Sequence, residues 1–296
     1  MLGYSSAAKL VALPSGVVVP GAIARGRPVV PLRGKVRFVG DVVSTRGMPL
    51  IAPLCEPAAP IIVVIPTYNE RENLSSLIAE ILALDDAYSV VIVDDNSPDG
   101  TGAVADELAR RHPDRIVVAH RPGKSGLGPA YVAGFAMALR QSAGLIASMD
   151  ADHSHAPADL ARLVAAAATH DVVLGSRYVD GGRTVGWPIH RRLLSRFGGL
   201  YARLVLGVRI VDLTSGFKVF RREVLERIDF DNIHADGYGF SIEITYRAIQ
   251  DGANVVEVPI TFTERRVGTS KISRWIVIEA MIVVWRLRFG LNRRRP

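Results

Sequence analysis

Leu145-Ile146-Ala147-Ser148-Met149 carries no charge and runs straight into Asp150-Ala151-Asp152, two carboxylates separated by one small residue. A buried strand that stops in an Asp-x-Asp turn delivers hard oxygen ligands to the carboxyl edge of a sheet. That edge is where open α/β sheets bind their ligands. Carboxylates this close repel each other unless a cation lies between them, and Mg²⁺ and Mn²⁺ favour oxygen ligands together with substrate phosphates. Taken alone, the pattern equally describes a solvated acidic turn, so the rest of the chain decides.

Upstream, Ile61-Ile-Val-Val-Ile65 is a continuous β-branched run of the kind found in parallel strands covered on both faces. Pro66-Thr-Tyr-Asn-Glu70 follows as a strand-to-helix loop, and Leu74, Leu77, Ile78, Ile81 and Leu82 recur at helical spacing. Val90 to Val93 reads as a second strand, ending in Asp94-Asp-Asn-Ser-Pro-Asp-Gly-Thr101. A helix through Val104 and Leu108 and a strand through Ile116 to Val118 come next. The Gly-rich loop Gly123-Lys-Ser-Gly-Leu-Gly128 and a helix over Ala130 to Leu139 then lead to the strand at Leu145. Downstream, Pro157 to Ala168 predicts a helix opened by a proline its first turn tolerates. Val172 to Gly175 is a strand, His190 to Leu206 a basic helical stretch, Tyr238 to Gln250 a helix and Val255 to Val258 a late strand. Asp212 to Lys218 breaks the regularity. The alternation predicts an α/β fold, a mostly parallel sheet flanked by helices with right-handed crossovers.

Composition narrows the function. The 296 residues, 49% of them hydrophobic, suffice for one large or two small domains with a real core. Cys55 is the single cysteine, which excludes an intrachain disulfide and a Cys-based zinc site and fits a reducing compartment. A net charge of +7 suits phosphorylated small molecules, anionic membranes or nucleic acid. Aromatic residues are 7% of the chain and do not interleave with basic ones as base-stacking surfaces require, so no nucleic acid is expected. No stretch reaches the roughly 20 uninterrupted apolar residues of a membrane span. Pro14 and Pro20 interrupt what would be the apolar core of a signal peptide.

Several motifs fail on spacing. Gly123-Lys124-Ser125 lacks the earlier glycine of a P-loop, where Val118 stands, and Gly126-Leu-Gly128 lacks the third small residue of a dinucleotide fingerprint at Tyr131. His153 and His155 are two apart, not the helical i, i+4 pair of a zinc protease. What persists is Glu70, Asp95, Asp150 and Asp152, each at the carboxyl edge of a predicted strand. One such acid could cap a helix; four in successive loops point to a shared pocket. A cation held by Asp150 and Asp152 would bridge and stabilise a departing diphosphate. Arg177, Arg191, Arg265 and Lys271 could complete the neutralisation.

Pro66-Thr-Tyr-Asn-Glu70, Asp94 to Thr101, Gly126-Leu-Gly128, Asp150-Ala-Asp152, Gly175-Ser-Arg-Tyr178, Ser215-Gly-Phe-Lys218 and Arg265-x-x-Gly268-x-Ser270-Lys271 occur in this order. Together they resemble the family-2 glycosyltransferases of GT-A (Rossmann-like) fold, and among them the dolichol/polyprenol-phosphate mannose synthases. The Ala/Arg/Val-rich composition is similar to that of the actinobacterial members. The resemblance covers Ile61 to Lys271. It implies residues 60–271 as a single catalytic domain. Residues 1–59, rich in Pro, Gly, Val and Arg and without a sustained helical period, read as a poorly ordered extension, and residues 272–296 as a C-terminal amphipathic segment.

The resemblance also implies roles. Pro66, Tyr68, Glu70, Val93, Asp95, Asp150, Ala151, Asp152, Arg265 and Lys271 match the site for GDP-mannose. Arg177, Arg191 and Ser195 match the holders of a polyprenyl acceptor's phosphate. Asp150, Asp152 and Ser154 match the positions that hold Mg²⁺ or Mn²⁺, with serine where relatives often carry glutamine. The implied reaction transfers mannose with inversion, Asp152 orienting the departing GDP. Rival readings are a UDP-sugar-dependent transferase and a non-catalytic nucleotide-sugar binder.

Ile272, Trp275, Ile276, Met281, Ile282, Val284, Trp285 and Phe289, followed by Arg286, Arg288 and Arg293–Arg295, form an apolar stretch with basic residues, interrupted by Glu279. It suits a helix on an anionic bilayer surface, or equally one packed on the sheet. A peripheral enzyme at the inner face of the plasma membrane is expected, alone or with a separate membrane protein.

Overall fold

β-Branched runs dictate the centre of the molecule. In the computed structural model, which describes residues 60–233, 235–265 and 274–290 (the side chains of 274–278 excepted), β1 spans Ile61–Thr67, β2 Tyr88–Asp94, β3 Ile116–His120 and β4 Leu145–Ser148. β5 is Val172–Ser176, β7 Lys218–Arg221 and β8 Val255–Pro259, and these seven strands form one sheet in the order β3-β2-β1-β4-β7-β5-β8. β6, Arg183–Val185, and β9, Thr261–Thr263, pair as a separate parallel ribbon. The sheet is parallel except for β7, which runs antiparallel between β4 and β5.

Helices cover both faces, as the uninterrupted apolar strands require. Ile61, Val63 and Ile65 face a core shared with Leu74, Leu77, Ile78 and Ile81 of α1 (Arg71–Leu82), Ala105 and Leu108 of α2 (Thr101–Arg111), and Leu160 and Leu163 of α4 (Pro157–Ala166). Ile62 and Val64 point the opposite way. They belong to a second core shared with Tyr131 and Phe135 of α3 (Leu127–Leu139), Leu206 of α5 (Ile189–Leu206), Leu225 of α6 (Arg222–Arg227), Phe240 of α7 (Gly237–Gln250) and Val284 of α8 (Arg274–Arg288). Burying each such side chain is worth about 1.5–3 kcal/mol, which makes the strand alternation the main determinant of the layering.

The expected α/β architecture is therefore present, with two additions, the β6–β9 ribbon and β7. β7 begins at Lys218, the last residue of the stretch read as irregular, and its four residues show too little pattern to reveal a strand. The expected extension over 1–59, Lys271 and the Arg293–Arg295 tail lie outside the described residues. α8 packs against α7 and α5, with Val283, Val284 and Leu287 buried and Met281, Ile282 and Trp285 exposed. Glu279 faces inward, its carboxylate accepting from the Asp236 amide at 3.2 Å.

Candidate functional site

The chain leaves β1 toward β2 and β3 on one side and returns to β4 on the other, so the sheet has its switch point between β1 and β4. A crevice opens at the carboxyl ends of strands there. Pro66, Tyr68, Glu70, Asp95, Asp150, Ala151 and Asp152 all line one cavity of about 330 Å³, together with Arg265. The four acids singled out from the strand ends thus converge.

None of the four serves as an ordinary helix cap. Glu70 precedes α1 but makes no capping bond with its side chain, which accepts instead from Asn73 Nδ2 at 2.8 Å. Asp95 is buried and paired with Arg121 at 2.5 Å. Asp150 Oδ1 accepts from the Tyr131 hydroxyl at 3.1 Å, and burial, reinforced by Asp150, raises that phenol's pKa well above its ordinary value. The Asp150 amide donates to His155 Nδ1 at 3.3 Å. His155 is itself buried against Phe217, and burial lowers its pKa, so the ring stays a neutral acceptor at neutral pH. Asp152 Oδ1 accepts from the Ser154 amide at 3.0 Å, and its Oδ2 lies 3.2 Å from Arg265 Nη2. His153 turns away, with Nε2 2.9 Å from Ser76 Oγ.

The Gly-rich loop shapes the cavity without forming a phosphate loop of its own. Gly126 has φ +105°, and a Cβ there would lie 2.2 Å from an Asp236 carboxylate oxygen. That carboxylate also accepts from the Gly128 amide at 2.8 Å and the Gly237 amide at 2.7 Å, joining the N-termini of α3 and α7 at the cavity wall.

A smaller cavity of about 90 Å³ adjoins, lined by Asp150, Asp152, Ser154, Arg177, Arg191 and Arg265 among others. Arg177 is buried, donating from its amide, Nε and Nη2 to Asp212 at 2.9, 2.8 and 2.6 Å. Arg191 Nη1 donates to both carboxylate oxygens of Glu264 at 2.7 Å, and its guanidinium lies 4.1 Å over the Trp187 ring. Lys218 is buried behind this wall, its ammonium donating to the Ser215 carbonyl. Burial pulls its pKa down to about 7, against the opposing pull of Asp212 and Asp150.

A third space, an apolar groove of about 280 Å³, runs between α5, α7 and α8 and includes Arg191, Ser195, Phe197 and Met281. Thr214 and Tyr238 line all three spaces, so polar pocket and apolar groove meet there.

One expectation changes. Val93 is a core residue, fully buried, and lies off the cavity; only its carbonyl reaches this region, accepting from Thr67 Oγ1 at 3.4 Å. Ser154 lines the small cavity together with Asp150 and Asp152. Lys271 lies outside the described residues.

Among the described residues, no group of three or more His, Cys, Asp or Glu could hold a metal ion. Asp150 and Asp152 supply two carboxylates, a donor set that suits Mg²⁺ or Mn²⁺ when substrate phosphates complete the coordination. The Arg265 guanidinium already brings positive charge to Asp152. The residues fit such an ion.

The family model for glycosyl transferase family 2 matches residues 62–229. Over 237 residues the chain is 50% identical to the polyprenol monophosphomannose synthase of Mycolicibacterium smegmatis, covering 79% of this chain and 89% of that protein. The chain belongs to glycosyltransferase family 2. This glycosyltransferase is also 44% identical to the undecaprenyl-phosphate mannosyltransferase of Micrococcus luteus, over 79% of this chain and 95% of that one. Its fold is that of the glucosyl-3-phosphoglycerate synthase from Mycobacterium tuberculosis in complex with Mn²⁺, uridine diphosphate and phosphoglyceric acid. The TM-score is 0.58 at 21% identity, over 78% of this chain and 79% of that one.

Within the glycosyltransferase, sequence reasoning missed Asp236, Thr214, Tyr238, Trp187 and Glu264. Asp236 directly before a helical pattern carries an N-cap signal. The others carry none, because their neighbours in space are remote in the chain.

Proposed function

We propose that the protein transfers mannose from GDP-mannose to a polyprenyl monophosphate with inversion at the anomeric carbon. The observation that carries this reading is the junction at Thr214 and Tyr238 of a carboxylate-lined pocket with an apolar groove bearing Arg191 and Ser195. A sugar nucleotide and a lipid phosphate need adjoining spaces of these two characters. The relatives' names, a polyprenol monophosphomannose synthase and an undecaprenyl-phosphate mannosyltransferase, support the same reaction.

In this mechanism an oxygen of the acceptor phosphate attacks the anomeric carbon as the bond from that carbon to the β-phosphate oxygen breaks, releasing GDP. Pro66, Tyr68, Glu70, Asp95 and Ala151 line the donor pocket. Asp150 and Asp152 would hold Mg²⁺ or Mn²⁺, which supplies positive charge to the departing diphosphate. Arg191 and Ser195 hold the acceptor phosphate in line. Arg177, already committed to Asp212, also donates to Thr214 Oγ1 at 2.7 Å and so orients the junction. The acceptor is an anion near neutral pH and needs no general base. Positioning and electrostatics supply most of the rate.

The reaction needs a membrane surface, and α5 offers one that its basic sequence concealed. Ile189, Leu193, Phe197, Leu200 and Leu204 recur every three or four residues and are all exposed, Phe197 and Leu204 by 65% and 67%. Met281, Ile282, Trp285 and Phe289 are exposed on and just beyond α8, which packs against α5. Arginines 192, 196, 203, 286 and 288 accompany this apolar face, a combination that favours an anionic bilayer. Among the described residues no helix is long and apolar enough to cross a membrane. Changing Phe197 and Leu204 together to glutamate should abolish sedimentation with phosphatidylglycerol vesicles while leaving GDP binding intact. Undiminished sedimentation would exclude α5 from the docking surface.

Product formation from GDP-mannose and a short polyprenyl phosphate, run beside UDP-glucose, tests the reaction. Product from the UDP-sugar alone would overturn the donor assignment. Absence of product from either, with nucleotide still bound, would favour a binder over an enzyme.

A further inference from the structure

Glu264 and Arg265 are consecutive, just beyond β9, and each holds an opposite charge from a different side of the site. Glu264 takes Arg191 of the groove, and Arg265 takes Asp152 of the carboxylate pocket. The Glu264 backbone is tethered, its amide donating to the Val185 carbonyl at 2.9 Å. Arg191 is only partly used: its Nε is buried and has no partner among the described residues, while Nη1 serves Glu264. A buried N–H without an acceptor is costly, and here it lies on a guanidinium already fixed by stacking on Trp187.

We propose that Glu264 is a positioning residue. It is a built-in carboxylate that keeps Arg191 until the acceptor phosphate replaces it, then turns to Arg265 and so loosens Arg265 from Asp152. The inference rests on the acceptor-phosphate role of Arg191 given above.

Charge dictates the exchange. The two pairs neutralise four charges, two of each sign. A phosphate arriving at Arg191 makes that position repulsive to Glu264, and the cation next along the chain is Arg265. When Arg265 takes a second carboxylate it holds Asp152 less strongly, and Asp152 becomes available to the cation that accompanies the donor diphosphate. Every charge keeps a counter-ion throughout. Acceptor binding therefore favours donor binding, and by linkage the donor favours the acceptor by the same factor.

The test is calorimetric titration of the full-length protein with GDP and Mg²⁺, with and without saturating geranyl phosphate, and with UDP in parallel. In the wild type, geranyl phosphate should tighten nucleotide binding by about fivefold or more, and nucleotide should tighten geranyl phosphate equally. Glu264→Gln should bind geranyl phosphate more tightly without nucleotide, and its coupling factor should fall to about 1. Glu264→Asp, which keeps the charge, should restore part of the coupling. A merely structural Glu264 would leave the coupling factor unmoved. The proposal is overturned if the wild type shows no coupling, a result that needs no variant to fold, or if Glu264→Gln retains the full factor. Mannosyl transfer measured on the same wild-type sample separates the two readings. Coupling without product overturns the reaction, and product without coupling overturns the role of Glu264.

Discussion

Asp152→Asn should lower kcat/KM for mannosyl transfer by a factor on the order of 10²–10³, the usual consequence of removing one electrostatic group aimed at developing charge. The side chain is 9% exposed, with one oxygen on the Ser154 amide and the other facing Arg265. Asparagine keeps the volume and can still accept from Ser154, so the turn after β4 should survive. What it loses is the negative charge that balances Arg265 and, with Asp150, would hold a divalent ion. The defect should appear in kcat and should be accompanied by loss of the Mg²⁺ dependence of GDP binding. An unchanged thermal midpoint would show that the fold is retained. Near-normal turnover by such a folded variant would remove Asp152 from the mechanism and leave it as a turn residue.

The largest stability effect is expected at the buried Arg177–Asp212 pair. Asp212 is fully buried, and although burial alone would raise its pKa, the Arg177 guanidinium and amide hold it below the ordinary carboxylate range. The segment is fixed from behind by Glu257, whose carboxylate accepts from the Val211 and Asp212 amides at 2.7 and 2.8 Å. Asp212→Ala would leave a guanidinium in the interior without its counter-charge. Breaking a buried pair in this way costs about 3–5 kcal/mol, whereas replacing both partners with apolar groups of similar volume is often neutral. Urea unfolding should therefore find Asp212→Ala strongly destabilised and Arg177→Met/Asp212→Leu substantially recovered. A loss below about 1 kcal/mol in the single variant would mean that water reaches Arg177. Transfer activity should stay low in the double variant, because Thr214 loses the donor that orients it.

Different physical signals account for what was readable in the chain. Ile61 to Ile65, Val90 to Val93 and Leu145 to Met149 announce themselves because a strand covered on both faces must be apolar throughout. The acids that follow such runs must then emerge at the carboxyl edge, which is how Glu70, Asp95, Asp150 and Asp152 could be assigned to one pocket. β7 was illegible, since its four residues show no period and its place is set by hydrogen bonds to β4 and β5, which are remote in the chain. Val93 entered the site only through the family resemblance, and the pleat turns its side chain into the core. The exposed stripe of α5 was overlooked because its arginines dominate the composition, while period 3.6 gathers the intervening apolar residues onto one surface.

The sequence by itself determined the longer strands and helices and their succession, the doubly covered sheet and the carboxylates at its edge, because local periodicity and strand polarity suffice for these; β6, β7, β9 and α6 are too short to show a period. The tertiary structure alone decided which charges neutralise one another. Arg177 meets Asp212 across 35 residues and Arg191 meets Glu264 across 73, distances over which no local pattern acts. It also decided that the carboxylate pocket meets an apolar groove at Thr214 and Tyr238. That junction arises where α5, α7 and α8 pack together, and side-chain packing between remote elements leaves no mark on any single stretch of sequence.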